Sequence, residues 1–494
     1  MLTPSSSPSS EITHAIVYNH FGSAVYNYDF TGKGRLTVNS DGPTYTFTGK
    51  PRGLFAGKSK EMTFRADDIT NVAVDGRQLV FKTTLGRSGK HKQPFAFFLN
   101  DAAEAAAVAE LLPKNVDTEF TEVQDFQTRL DEVAGQYSTW HSPTNVIIAL
   151  NALVFVIMGA LGAGLVETTN LMPYILYGAN NGAATTDGEW WRLLTSMFMH
   201  YGIMHLLFNM WALYQAGHLV EKLLGRSLYV LMYLGSGIAG GFASIMWHGD
   251  QTWSAGASGA VFGVFGAILG FMLRQKQALP ASIYRSLMRS TIAFAAYNIF
   301  YGLVRAGIDN AAHIGGLLGG IFFSWLLAMP IDREARANST GRRLQLGLGA
   351  LGLMCIMGVS LTPRYDYSIR DLITWQNGVQ PFIEHEGELL EKHQQQIAGL
   401  GTTTDVDVYA EWIEAELIPF YQNWNRELTS MQLRSDKITS SNRDKLVAVF
   451  NQRLKSFDHL VTALRTDDEE EFNLFIKEEE SVAEALNKLE QGLE

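Results

Sequence analysis

A serine, two histidines and an asparagine stand inside stretches that are otherwise apolar. Ser258 lies in Gly256-Ala257-Ser258-Gly259, His313 follows Ala311-Ala312, and His205 precedes Asn209 by four residues. A serine hydroxyl is a poor nucleophile until a base takes its proton, and histidine is the usual base. Acyl transfer also needs donors aimed at the oxyanion that develops on the attacked carbonyl. Ser258 can attack with His313 as base. The Ser258 backbone N–H, His205 and Asn209 can then bind the oxyanion. His205 and Asn209, four apart, share one helix face. Ser258 falls near a helix N-terminus, where the dipole favours negative charge. No Asp or Glu lies inside these stretches near the pair, so no buried acid is on offer to orient His313.

Such a pair needs helices that approach closely. Gly259, Gly263, Gly266 and Gly270 dot the stretch after Ser258, and Gly315, Gly316, Gly319 and Gly320 follow His313. Small residues at this spacing let two helix backbones meet. A helix needs about 20 mostly apolar residues to cross a bilayer. Seven stretches qualify, some of them short: 145–166, 199–220, 227–247, 253–273, 290–304, 310–329 and 344–361. The fifth is the weakest, with 15 uncharged residues ahead of Arg305.

Loop charge gives orientation. Loops 2–3, 4–5 and 6–7 carry Lys222, Arg226, Arg274, Lys276, Arg285, Arg289, Arg333, Arg336, Arg342 and Arg343, and the alternate loops carry only Arg192 and Arg305. Positive charge collects on the cytoplasmic side. Residues 1–140 are therefore expected in the cytoplasm and the tail after the seventh span outside. Spans two, four and six then enter from the outer side. His205, Ser258 and His313 fall within one to two turns of their starts, roughly 5–10 Å deep. Asn209 lies one turn further in.

Composition narrows the class. Of 494 residues, 47% are hydrophobic and 18% charged, against roughly 25% charged in soluble domains. A disordered or fibrous chain is excluded. The single cysteine, Cys355, rules out an intrachain disulfide, a CxxC site and a thiolate zinc cluster. The net charge of −11 is uneven: residues 1–130 balance at 14 basic and 14 acidic, 131–364 carry +3, and 365–494 carry −14. No segment has the basic excess that nucleic-acid phosphates require, so a nucleic-acid partner is not expected. The N-terminus, MLTPSSSPSSEITH, has no basic region followed by an apolar run and does not read as a signal peptide.

Two domains flank the membrane core. Residues 1–13 read as a disordered start and 14–113 as a small cytoplasmic β domain. Val74-Asp75-Gly76-Arg77 is a hairpin signal; GRLTV, TYTFTG, EMTFRA and PFAFFLN supply further strands, and an Ala-rich helix at 101–112 closes the unit. Strands followed by one terminal helix resemble a pleckstrin-homology-like barrel. That likeness implies a protein or lipid partner for this domain. A phosphoinositide pocket would draw on Lys33, Arg35, Lys50, Arg52, Lys58 and Lys60, although a solvated face is the simpler account. Residues 114–140 form an amphipathic linker with a helix at 119–133, and 331–343 a basic cytoplasmic loop. Residues 344–363 hold the seventh span, and 364–494 an acidic helical domain. In that domain Phe450, Leu454, Phe457, Val461 and Leu464 form one apolar stripe, and Trp412, Leu417 and Phe420 lie on an earlier helix that packs on it. The charge runs at 467–471 and 478–480 read first as solvated faces and otherwise as a protein-binding surface or cation site.

The set of motifs resembles the rhomboid intramembrane serine proteases. It comprises GASG around Ser258, the His205-x-x-x-Asn209 pair, AHIGGLLGG from Ala312, and Trp191-Arg192 ahead of the second span. The likeness covers about residues 140–330. It implies a six-helix core, here with a seventh helix added. It implies Ser258 as nucleophile, His313 as base, and His205 and Asn209 as the oxyanion hole. Gly256, Gly259 and Gly316 belong to its motifs, and Phe262 takes the place of an aromatic that packs on the catalytic histidine. Trp191 and Arg192 would brace the first outer loop, and His200 is structural or faces the substrate.

The implied activity is hydrolysis of a peptide bond in or near a transmembrane segment of another membrane protein, with no cofactor. The compact loops fit a bacterial inner membrane. Other accounts explain less. Helix packing alone explains the glycines but not His313 and Asn209. Haem ligation by His205 and His313, or zinc on His200, His205 and His313, leaves Ser258 unexplained, and no HExxH is present. A catalytically silent adaptor that binds client transmembrane helices is the remaining alternative. Inactive relatives usually lack the serine or the histidine, and both stand here.

Overall fold

The computed structural model describes residues 11–18, 29–39, 44–52, 59–83, 93–134, 141–400, 405–433 and 437–491. The expectations placed on residues 1–10, Lys58 and 135–140 fall outside these. The chain divides into two compact units, 1–135 with 275–289, and 136–274 with 290–494.

The first unit is an antiparallel sheet closed by a helix. Its strands are β1 (Glu11–Val17), β2 (Phe30–Asn39), β3 (Thr44–Pro51), β4 (Lys60–Arg65), β5 (Ile69–Asp75), β6 (Gln78–Thr83) and β7 (Gln93–Phe98). They lie in the order β4-β3-β2-β1-β7-β6-β5. Alternation puts Leu36 and Val38 of β2, and Tyr45 and Phe47 of β3, inward, as a strand with one buried face requires. The core is aromatic: Phe81 stacks on Phe95 at 5.1 Å, and Phe47 meets Phe95 at 4.7 Å. Asp75 pairs with Gln78 across Gly76-Arg77, and Gly76 takes φ +57°, the left-handed conformation that a two-residue hairpin loop demands.

Helix α1 (Ala102–Leu111) follows, its first turn capped by Asp101, which accepts from the Glu104 N–H. Helix α2 (Thr118–Ala134) buries Phe126 and Leu130. One expectation is corrected. β1 begins at Glu11, inside the stretch 1–13 read as disordered. Glu11, Ile12 and Thr13 are exposed, so no buried face marks them. Ladder pairing holds them instead, from Glu11 opposite Asn39 to Val17 opposite Lys33.

The helical core runs through α3 (Pro143–Ala160), short α4 (Met172–Tyr177), α5 (Gly182–Thr186) and α6 (Arg192–Thr195), then α7 (Ile203–Leu224), α8 (Arg226–His248) and α9 (Ser258–Arg274). It continues with α10 (Ala281–Val304), α11 (Asn310–Leu327) and α12 (Arg333–Leu361). Each of the seven apolar stretches overlaps one helix, and the first, second, fourth and sixth run past its end, to 166, from 199, from 253 and to 329. Among the described residues four helices, α3, α8, α11 and α12, are long and apolar enough to cross a membrane, and α9 is apolar but shorter. Polar residues dilute the other two: Asn209, Gln215 and His218 in α7, Arg285 and Arg289 in α10.

Boundaries move where caps decide them. The helix of the fifth apolar stretch, α10, starts at Ala281, ahead of 290. The basic stretch 331–343 is helix rather than loop from Arg333 onward. Asp332 caps it by accepting from the Ala335 N–H at 2.8 Å. Arg336 donates to the carbonyls of Lys222 and Leu223 at 2.9 and 2.6 Å, which satisfies the open end of α7.

α9 and α11 meet backbone to backbone. A Cβ on Gly316 would stand 2.6 Å from the Gly259 carbonyl carbon, and one on Gly320 the same distance from that of Gly263. α12 docks through glycine too: a Cβ on Gly358 would touch the Phe242 ring.

The tail is helical: α13 (Ile369–Gly399), α14 (Val406–Trp412), a π turn over Ile413–Leu417, α15 (Ile418–Ser430), α16 (Lys437–Thr466) and α17 (Glu469–Gln491). Phe450, Phe457 and Val461 are buried in its core, and Leu454 and Leu464 pack against it. A polar network crosses this core. Arg453 donates to Glu386 at 3.0 Å and to Tyr421 Oη at 2.8 Å, and Tyr421 donates to Glu386 at 2.6 Å. Burial raises the Tyr421 phenol above its ordinary range, so it stays a donor. Arg453→Ala leaves Glu386 without its cation and is expected to cost the tail about 2–3 kcal/mol. Thermal unfolding of the whole chain in detergent checks this; an unmoved transition would show that the network contributes nothing.

The tail is fastened to two loops of the core. Arg370 pairs with Glu189, and Tyr367 donates to Asp250.

Candidate active site

Three helix beginnings build the site. α7 opens after Gly202, which takes φ +86°, so His205 stands in its first turn and Asn209 in its second. Asn209 is buried, and its Nδ2 donates to the His205 carbonyl at 2.9 Å. Ser258 is the first residue of α9, and His313 stands in the first turn of α11.

The chain reaches Ser258 through a segment pinned on all sides. Ser254 and Asn180 exchange backbone hydrogen bonds at 2.8 and 2.7 Å, and Gly256 N–H donates to the Ser196 carbonyl at 2.9 Å. Ala257 N–H donates to His200 Nε2 at 3.3 Å. His200 is fully buried, and its carbonyl accepts from Tyr174 Oη at 2.7 Å. Its ring meets that of His205 edge-on at 5.0 Å. His200 therefore supports the approach to Ser258.

Gly256 leaves the gap between two of the expected groups. Its φ of +146° suits glycine. A Cβ there would stand 2.8 Å from His205 Cε1 and 3.7 Å from Ser258 Oγ. The imidazole of His205 and the hydroxyl of Ser258 thus flank one glycine.

His313 is positioned by ring stacking. Phe262 lies parallel to it at 4.2 Å and 10°. Phe262 is four residues after Ser258, so both project from one face of α9. Phe294 of α10 stacks on Phe265 at 3.6 Å and leans on Phe262 at 5.5 Å. Ser258 and His313 share no hydrogen bond among the described residues, and His313 Nδ1 is buried without a partner. Catalytic hydrogen bonds are commonly long until substrate closes a site.

Arg192 is buried among loop carbonyls. Its Nε donates to Glu189 at 2.6 Å, and a terminal nitrogen donates to Ile175 O and Ala179 O at 2.8 and 3.0 Å. Trp191 is exposed, its ring 4.8 Å from the guanidinium carbon. Among the described residues no group of three or more His, Cys, Asp or Glu is arranged to hold a metal.

One residue beside the site was absent from the sequence reading. Asp309 stands one residue ahead of α11. Its Oδ1 accepts from the Ala312 N–H at 2.9 Å, and its Oδ2 from Ser254 Oγ at 2.6 Å. His248 Nε2 lies 3.3 Å from Oδ1. The expectation that no acid stands near His313 held only inside the apolar stretches. An Asp directly before an apolar helix is a capping signal, and it was legible.

Residues 187–330 match the family model described as the Rhomboid domain. Rhomboid protease GluP of Bacillus subtilis is 37% identical over 201 residues, 41% of this chain and 37% of that protein. YdcA of the same organism, named as a candidate rhomboid protease, is 34% identical over 157 residues, 32% of this chain and 76% of YdcA. Rhomboid protease AarA of Providencia stuartii is 31% identical over 170 residues, 30% of this chain and 60% of AarA. The chain thus spans little more than a third of GluP and about three quarters of YdcA. With its helices apolar enough to cross a bilayer, its rhomboid domain and its coverage of YdcA, this integral membrane protein belongs to the rhomboid family.

Proposed function

We propose that the chain is an intramembrane serine protease. Ser258 attacks a peptide bond in or near a transmembrane segment of another membrane protein, and His313 takes the Ser258 proton and returns it to the leaving amine. Water then hydrolyses the acyl-enzyme. His205, Asn209 and the Ser258 N–H bind the oxyanion. The observation that carries this reading is the stack of Phe262 on His313, which sets the base on the face of α9 that presents Ser258. The glycine contacts between α9 and α11 support it, since they bring the two backbones together. No cofactor enters the reaction.

A transmembrane helix hides its carbonyls in its own hydrogen bonds. Substrates should therefore unwind locally, and small or helix-breaking residues are expected near the scissile bond. The ten-to-two charge asymmetry supports seven spans with residues 1–140 cytoplasmic and the tail outside. The Bacillus and Providencia relatives fit a bacterial cell membrane. The β domain and the acidic tail would recruit separate partners, lipid or protein for the first and protein for the second.

The test is cleavage of a single-span test substrate with a Gly-Ala segment, co-reconstituted with the purified chain in liposomes. Cleavage at a site within or beside the span supports the reading. Binding of the substrate without cleavage would replace it with the adaptor reading. His205→Ala and Asn209→Ala are each expected to lower kcat about 10²-fold with little change in KM. Unchanged kcat in both would remove the oxyanion assignment.

A further inference from the structure

We propose that Asp309 is a positioning residue that fixes the separation of Ser258 and His313; the inference rests on the protease reading above. Three elements converge on this one carboxylate. Oδ2 accepts from Ser254 Oγ at 2.6 Å, four residues ahead of Ser258. Oδ1 accepts from the Ala312 N–H at 2.9 Å and caps the helix whose next residue is His313. His248 Nε2, at the end of α8, lies 3.3 Å from Oδ1. The Asp309 carbonyl also accepts from the His313 N–H at 3.1 Å. The carboxylate is 14% exposed.

This arrangement does what the glycines cannot. Gly259 and Gly316 set how near α9 and α11 approach sideways. They do not fix the loop that delivers Ser258, because 253–257 is not helical. The Ser254–Asp309 hydrogen bond ties that loop to the start of α11. A shift of the loop therefore moves α11 with it, and serine and histidine keep their register. A bond from hydroxyl to carboxylate is among the stronger neutral-to-charged hydrogen bonds. Misplacing a reacting group by about 1 Å can cost about 10²-fold in rate.

The chemistry separates a link from a charge. In Asp309→Asn, Oδ1 still accepts from Ala312 N–H, since Asn caps helices as well as Asp. Its amide N–H₂ can donate to Ser254 Oγ, which accepts as readily as it donates. The variant keeps both connections and loses the charge. Asp309→Ala loses everything, and Ser254→Ala cuts only the loop side.

The experiment measures tagged-fluorophosphonate labelling rates and test-substrate kinetics for the wild type and these three variants, each checked by thermal melting. Asp309→Ala is expected to lower the labelling rate and kcat about 10²-fold, with KM within about twofold. Ser254→Ala should lose about tenfold, and Asp309→Asn should stay within about threefold of wild type. Wild-type rates in Asp309→Ala would overturn the proposal. So would a folded Asp309→Asn as impaired as the alanine variant, because charge and not connection would then be at work. Should Asp309→Ala fail to fold, Ser254→Ala decides: a wild-type rate there overturns the proposal. An unlabelled, uncleaving wild type would overturn the protease reading and this inference with it, whereas an active wild type with unaffected variants would overturn this inference alone.

Discussion

Ser258→Ala is expected to abolish cleavage, a loss on the order of 10⁴-fold or more. The substitution removes one oxygen from the first residue of α9, so the melting temperature should hold within about 2 °C. His313→Ala should be equally inactive, because a serine without its base keeps its proton. It also removes the ring that Phe262 stacks on, and that pair contributes about 1 kcal/mol. A modest drop in stability beside a complete loss of activity is therefore expected for His313→Ala, and intact stability for Ser258→Ala. The measurement is cleavage of the liposome-borne substrate together with fluorophosphonate labelling. Substantial turnover by either folded variant would remove the dyad.

Gly316→Ala should be nearly as damaging, for a reason that involves no chemistry at residue 316. The added methyl would stand 2.6 Å from the Gly259 carbonyl carbon and 3.0 Å from its Cα. Both are backbone, and neither can rotate away. α9 and α11 must separate by about 1 Å, and overpacking of this kind costs about 1–3 kcal/mol. Ser258 and His313 ride on the two helices that separate, so kcat should fall about 10²-fold. Gly341→Ala is the control: nothing lies within 4 Å of a Cβ there. Equal activity in the two variants would show that close helix approach does not set the reaction geometry.

The sequence made the helices and their polar residues legible because membrane spans write long apolar runs. His205, Asn209, Ser258 and His313 stood out as polar groups in apolar company, and the glycines explained how two of them could meet. Asp309 escaped because it stands one residue before the apolar run rather than inside it. His200 was open to a structural reading, but its partner, the Ala257 N–H, escaped, since a loop's hydrogen bonds follow no periodicity. Helix ends moved for the same reason. Arg333 and Arg336 look like loop charges until Arg336 is seen to cap α7. In the β domain, alternation marks Phe47, Phe64 and Phe81 as inward positions, whereas β7 buries Phe95 through Phe98 without alternating. Strand β1 was not legible, because its first residues are exposed and only its partner holds them.

The fastening of the tail has a mechanical consequence. Glu189 offers one oxygen to Arg192 and the other to Arg370. Arg192 in turn grips the carbonyls of Ile175 and Ala179, and Tyr367 holds Asp250, two residues beyond His248. Beside the covalent chain from α12, a pull on the helical bundle is thus transmitted through two ion pairs in series to one loop, and through a hydrogen bond to another. The bundle acts as a handle on the rim of the core rather than as a passenger. Any binding protein that drags on the bundle loads these short tethers as well as the chain that leads out of α12.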